Sequence, residues 1–182
     1  MKKNTLALIM LSAISLFTVN SGMAATASGK LQVKVNVVSS CLVNTSAVNG
    51  KATDAVLDFG TVSDLTNVAM ASTPTGTQGI TVLCNPGTPW YLNFDGGLNA
   101  ADTHQRKMSD GKGHTIDYNL YSDSGNTLIP INTSTDDKTN IGFSDTGTGQ
   151  PQTKIVYGKI PSSTVLPPAG SYSDTVTINV VY

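Results

Sequence analysis

The chain has 182 residues and a formal net charge of −1, with 12 acidic residues, all of them Asp, against 11 Lys and Arg. That balance carries no basic run, which excludes a phosphate-tracking nucleic-acid surface, and strong helix formers are scarce beside abundant Thr, Val, Asn, Gly and Ser. The length suits one domain with one core, about two-thirds of the unfolded-chain surface being buried on folding.

In chain order, the basic Met1-Lys2-Lys3 precedes an apolar stretch from Leu6 to Val19 that is softened by Ser12, Ser15 and Thr18. The run falls short of the roughly 18 to 20 apolar residues of a spanning helix, and small residues follow it, so it reads as a signal peptide over 1–24, with cleavage as late as residue 27. Loss of Lys2 and Lys3 leaves a mature chain of about −3. The next segment, Lys30-Leu31-Gln32-Val33-Lys34-Val35-Asn36-Val37, alternates with a period of two, placing Leu31, Val33, Val35 and Val37 in one apolar row. Such a leading strand is either the first strand of an ordinary sandwich or a strand donated to another molecule.

Cys41 and Cys84 are the only cysteines. In an exported chain two thiols meet an oxidising compartment, so one intramolecular disulfide is expected. Further alternation recurs at residues 55–59, 79–84 and 90–94, with strands also expected at 115–121, 126–131, 154–160 and 171–182. Asn85-Pro86-Gly87, Asp95-Gly96-Gly97 and Asp110-Gly111-Lys112-Gly113 mark turns between them. Residues 132–150 read as a long polar loop with a short strand near Ile141. The chain ends on a second apolar row, Val176, Ile178, Val180 and Tyr182. Strands and turns at this spacing describe an all-β sandwich or barrel.

Chemistry is thin. His104 and His114 sit in or beside a Gly-rich polar loop without further ligands, no Gly-x-Ser-x-Gly nucleophile occurs, and the aspartates lie mostly beside Gly or Ser as turn formers. Asp95-Gly96-Gly97 and Asp136-Asp137 lack the spaced ligand series of an EF-hand loop. No enzyme activity, metal or cofactor is expected. Trp90, Tyr91 and Tyr157 are candidate stacking surfaces for an alternative reading, a self-contained secreted β-sandwich that binds carbohydrate.

The ordered set Leu57-Asp58-Phe59-Gly60, Ile80-Thr81-Val82-Leu83-Cys84, Arg106-Lys107-Met108, Ile116-Asp117-Tyr118-Asn119-Leu120-Tyr121, Val156-Tyr157-Gly158-Lys159-Ile160-Pro161 and Ala169-Gly170-Ser171-Tyr172-Ser173-Asp174 resembles the spore coat protein U family. That family includes the major pilins of archaic, Csu-type chaperone-usher pili. The resemblance implies an incomplete immunoglobulin-like β-sandwich completed by a donor strand from a neighbouring subunit. Residues 25–38 would be the N-terminal donor strand, with Leu31, Val33, Val35 and Val37 as its plugs, and residues 39–182 the pilin body. Val176, Ile178 and Val180 would line one wall of the body's acceptor groove, and the Tyr182 carboxylate would anchor a chaperone. The implied partners are identical or related pilin subunits, a periplasmic chaperone and an outer-membrane usher. The implied destination is the cell surface, in a pilus that supports adhesion and biofilm formation.

Overall fold

The structure, a computed structural model, describes residues 27–43, 54–73, 79–100, 102, 104–124, 127–132, 134, 136–163 and 165–182. The expected signal peptide lies outside the described residues. The chain divides into two units, Met1–Asn36 and Val37–Tyr182.

In the first unit, residues 27–36 form no strand ladder, and this continues through residue 40. The expected strand over 30–37 is therefore absent as a hydrogen-bonded element, although its apolar row is intact. Leu31, Val33 and Val35 are each at least 85% exposed. Alternation is a property of the side chains alone, whereas a ladder needs a neighbour.

The second unit is all-β and antiparallel, with ten strands among the described residues: β1 (Cys41–Val43), β2 (Ala69–Ser72), β3 (Ile80–Cys84), β4 (Pro89–Phe94), β5 (Arg106–Ser109), β6 (Thr115–Tyr121), β7 (Phe143–Thr146), β8 (Gln152–Lys154), β9 (Tyr157–Ile160) and β10 (Ile178–Val181). They make three sheets, ordered β1-β3-β8, β10-β4-β7 and β2-β9-β6-β5. Only β5 and β6 are neighbours both in chain and in sheet, so almost every ladder closes a long excursion.

Burial follows the expected period where both faces matter. Ile80, Val82 and Cys84 point inward from β3, and Trp90, Leu92 and Phe94 from β4. Tyr118 and Leu120 of β6, Val156 just before β9 and Ile160 at its end complete the centre of the core. Strands β3, β4, β6 and β9 match expected elements. Of the strand expected over 126–131, the described residues keep an isolated bridge between Tyr121 and Leu128, made by the Ser122 N–H to the Thr127 carbonyl and the Ile129 N–H to the Leu120 carbonyl, and beyond it the Asn132 N–H donates instead to the Phe94 carbonyl. The loop expected over 132–150 contains β7, just beyond Ile141.

Cys41 and Cys84 are disulfide-bonded and stand directly opposite each other in the β1–β3 ladder. Asn85 reinforces the same point from beyond the strand. Its side-chain oxygen accepts the Ser40 N–H at 2.8 Å, and its own N–H donates to the Ser40 carbonyl at 3.1 Å.

A groove between two unladdered walls

Residues 54–60 alternate between exposed and half-buried without pairing to any described strand. Ala55, Leu57 and Phe59 face the core, while Asp54, Val56 and Asp58 are exposed. The inward row is set by β9. A Cβ placed on Gly158 would stand 2.7 Å from Leu57 Cδ2 and 2.8 Å from Phe59 Cζ, so the absent side chain at 158 is what lets the wall lie flat on the sheet.

The opposite wall is the approach to the C-terminus. β10 pairs with β4 on one side only and ends its sheet there. Before it, residue 173 bridges Ser109 through two backbone bonds of 2.9 and 3.0 Å, and Thr177 is held by Asp95, whose N–H donates to the Thr177 carbonyl and whose Oδ1 accepts the Thr177 N–H. Residues 174–176 carry no ladder.

Between these walls lies a groove of about 650 Å³. Leu57, Phe59, Val176 and Ile178 line its sides, and Ile80, Phe94, Met108 and Leu120 are among the apolar residues beneath. An apolar cleft bounded by two extended edges with unladdered backbone has the dimensions and chemistry to take one more strand.

One end of the groove is polar and tightly organised. The Tyr118 hydroxyl donates to Asp174 Oδ2 at 2.7 Å, and Asp174 Oδ1 accepts the Leu98 N–H at 2.9 Å and the Asn99 amide at 3.0 Å. Burial first, then the bond to the Asp174 carboxylate, push the Tyr118 phenol well above its ordinary value and keep it a donor. Gly97 makes this approach possible: its φ is +82°, and a Cβ there would lie 2.0 Å from Asp174 Oδ2. In the β5–β6 ladder Tyr118 stands opposite Arg106, which is fully buried. The Arg106 guanidinium donates to the carbonyls of Asp95, Ile129, Pro130 and Phe94 at 3.0 to 3.4 Å, and burial lowers its pKa.

Of the residues singled out in the sequence, Val176 and Ile178 line the groove. Val180 packs against the core one step beyond, and Tyr182 is about half exposed. Leu57, Phe59, Tyr118 and Asp174 fall in segments whose strand pattern or family landmarks were legible, but no local signal placed them together at one groove. Trp90 is corrected as a stacking candidate: it is completely buried, and its indole N–H donates to Gln152 Oε1 at 3.2 Å. The ring nitrogen Nδ1 of His114 meets Asp110 at 2.7 Å, whereas His104 lies in the open. Asp95 Oδ1 accepts the N–H groups of Gly97 and Thr177. No three His, Cys, Asp or Glu among the described residues are grouped to hold a metal.

Comparison with known proteins gives a match to the family model described as the Spore Coat Protein U domain, over residues 27–179. Among solved structures the chain is similar to the CsuC–CsuE chaperone–tip adhesion subunit pre-assembly complex from the archaic chaperone-usher Csu pili of Acinetobacter baumannii. The identity is 22% and the TM-score 0.49, over 80% of this chain and 40% of that one. It is also similar to a chaperone–tip adhesin complex of CFA/I fimbriae biogenesis, at 12% identity and a TM-score of 0.37, over 78% of this chain and 42% of that one. This chain thus spans less than half the length of either of these two chains. No curated protein matches it.

Proposed function

This chain belongs to the Spore Coat Protein U domain family, and from that premise we propose that it is a structural pilin subunit of a chaperone-usher surface pilus, polymerising by donor-strand exchange. The observation that carries the reading is the groove: an apolar cleft of about 650 Å³ between two extended segments, neither laddered on the side that faces it. A second observation supports it. The same chain carries an apolar row, Leu31, Val33, Val35 and Val37, that makes no ladder and stands exposed. A molecule with one strand too few and one strand unused is complete only in company.

On this reading residues 1–24 are a signal peptide, 25–38 the donor strand and 39–182 the body. Burying four such plugs contributes about 6 to 12 kcal/mol before ordering costs, and the strand's backbone gains partners on both edges. Until the next subunit arrives, a periplasmic chaperone fills the cleft and holds the Tyr182 carboxylate. An outer-membrane usher then passes the assembled fibre to the cell surface, where it supports adhesion and biofilm formation. The carbohydrate-binding alternative loses its main surface with Trp90 buried.

The test rearranges the chain so that it completes itself. Residues before Ser39 are deleted, and residues 30–38 are appended after Tyr182 through a flexible linker, which presents the strand at high effective concentration. The rearranged chain should be a monomer melting well above the deleted one. Equal melting temperatures would show that no cleft awaits that strand.

A further inference from the structure

The apolar rows of strand and groove explain why an inserted strand binds, but they fix its register poorly. The plugs are Leu31, Val33, Val35 and Val37, nearly uniform in size, so sliding the strand by two residues replaces valine with valine and loses one plug at an end. Sliding by one residue is forbidden, because it turns the whole row outward. Something else must distinguish the slips of two.

The outward rows carry that information. On the leading segment the row opposite the plugs is Lys30, Gln32, Lys34 and Asn36, and residues 27–38 hold no acid. On the groove wall over 54–60 the outward row is Asp54, Val56, Asp58 and Gly60, and that segment holds no base. Both charge pairs are four residues apart, about 13 Å along an extended strand. Side chains on the same face of adjacent strands have Cβ atoms about 5 Å apart, within reach of a lysine and an aspartate. The carboxylates stand on the exposed face: Asp58 Oδ1 accepts the Gly60 N–H at 2.7 Å as the wall ends. The opposite wall offers no such contrast, since Ser173, Thr175, Thr177 and Asn179 are uncharged and Asp174 is turned to Tyr118.

We propose that Asp54 and Asp58 pair with Lys30 and Lys34 of a second copy of this chain, fixing the register of the inserted strand and selecting the chain's own leading segment as occupant. The inference rests on the donor-strand reading above. Equal spacing makes two pairs form together in one register, whichever direction the inserted strand runs, whereas a slip of two sets both lysines opposite uncharged neighbours. The consequence is a self-recognising subunit whose preference for its own kind weakens with salt.

The experiment follows the self-association of full-length mature chains by size exclusion over time, after refolding by dilution with the disulfide intact. The chains compared are wild type, Lys30→Asp/Lys34→Asp, Asp54→Lys/Asp58→Lys, an equal mixture of these two double variants, and Val35→Asp. Each double variant alone sets like charges against each other and should assemble about tenfold more slowly at low ionic strength. The mixture should recover to within about twofold of the wild-type rate, because half of its encounters, and every interface in an alternating polymer, again pair Lys with Asp. In 1 M salt, where the Debye length is about 3 Å, the differences should collapse. A mixture as slow as its components would overturn the proposal, because it would show that the variants act through folding or net charge. Unchanged rates in both double variants with Val35→Asp blocked would overturn it too, leaving the donor strand itself in place. Wild-type assembly by Val35→Asp would bring down the donor-strand reading and this inference with it.

Discussion

The guanidinium of Arg106 directs its hydrogen bonds at four main-chain carbonyls from two separate stretches, Phe94 and Asp95 on one side and Ile129 and Pro130 on the other. A lysine there keeps the charge but presents one nitrogen on a flexible stem, which cannot serve both stretches. Arg106→Lys should therefore lower stability by about 3 to 5 kcal/mol, read from chemical denaturation of the self-completed chain; a loss under 1 kcal/mol would deny the residue this tying role. The sequence showed Arg106 only in a polar region, since main-chain carbonyls as hydrogen-bond partners leave no side-chain pattern to announce a buried cation. Asp110 poses a different question. The ring of His114, then the N–H groups of Lys112 and His114, hold its carboxyl down at about 2, below the ordinary 3.8. A depressed carboxyl stabilises the fold fully above the unfolded value and ceases to as pH falls through the folded one. The melting temperature of Asp110→Asn should lie below wild type at pH 5, and the gap should close as pH falls toward 2. A gap that persisted unchanged to pH 2 would show that the carboxylate charge plays no part.

Strands β3, β4 and β6 were readable because each places large apolar side chains on a buried face at every second position, a pattern written in the residues themselves, and β9 was readable through Val156 and Ile160, which flank the buried Gly158. β2, β5 and β8 were not, being three or four residues long, and β2 and β8 are paired to strands far away in the chain. Their existence depends on a neighbour that no local window contains. The two groove-related segments show the opposite case: their alternation was legible, but whether they are laddered is a fact about what lies alongside. At the level of the wall, the critical position is in β9. Gly158→Val would drive a branched side chain into Leu57 and Phe59, so the wall over 54–60 must lift from the sheet. The variant should keep its disulfide and its antiparallel body, yet bind a synthetic peptide of residues 27–38 at least tenfold more weakly in fluorescence anisotropy. Undiminished binding would show that the wall's seat on Gly158 does not shape the groove.

For the molecule as a whole, a single covalent cross-link closes a loop of 43 residues in sequence between Cys41 and Cys84. The chain-entropy estimate for such a loop is about 4 kcal/mol, a large share of a domain's net stability. Replacing both cysteines by serine in the self-completed chain should lower its unfolding free energy by roughly that amount, and a change below 1 kcal/mol would assign the bond another purpose. Its position suggests what that further purpose is. β1 is three residues long, and residue 40 immediately precedes it, where the chain arrives from its leading segment. If that segment is anchored in a neighbour, any pull along the fibre enters the body here, and a strand this short could be unzipped one hydrogen bond at a time. The disulfide sits at its first residue, opposite Cys84 of the buried β3. On that reading tension would be handed across a covalent link to the core before it could peel β1, so the short strand would bear none of the load that the fibre transmits.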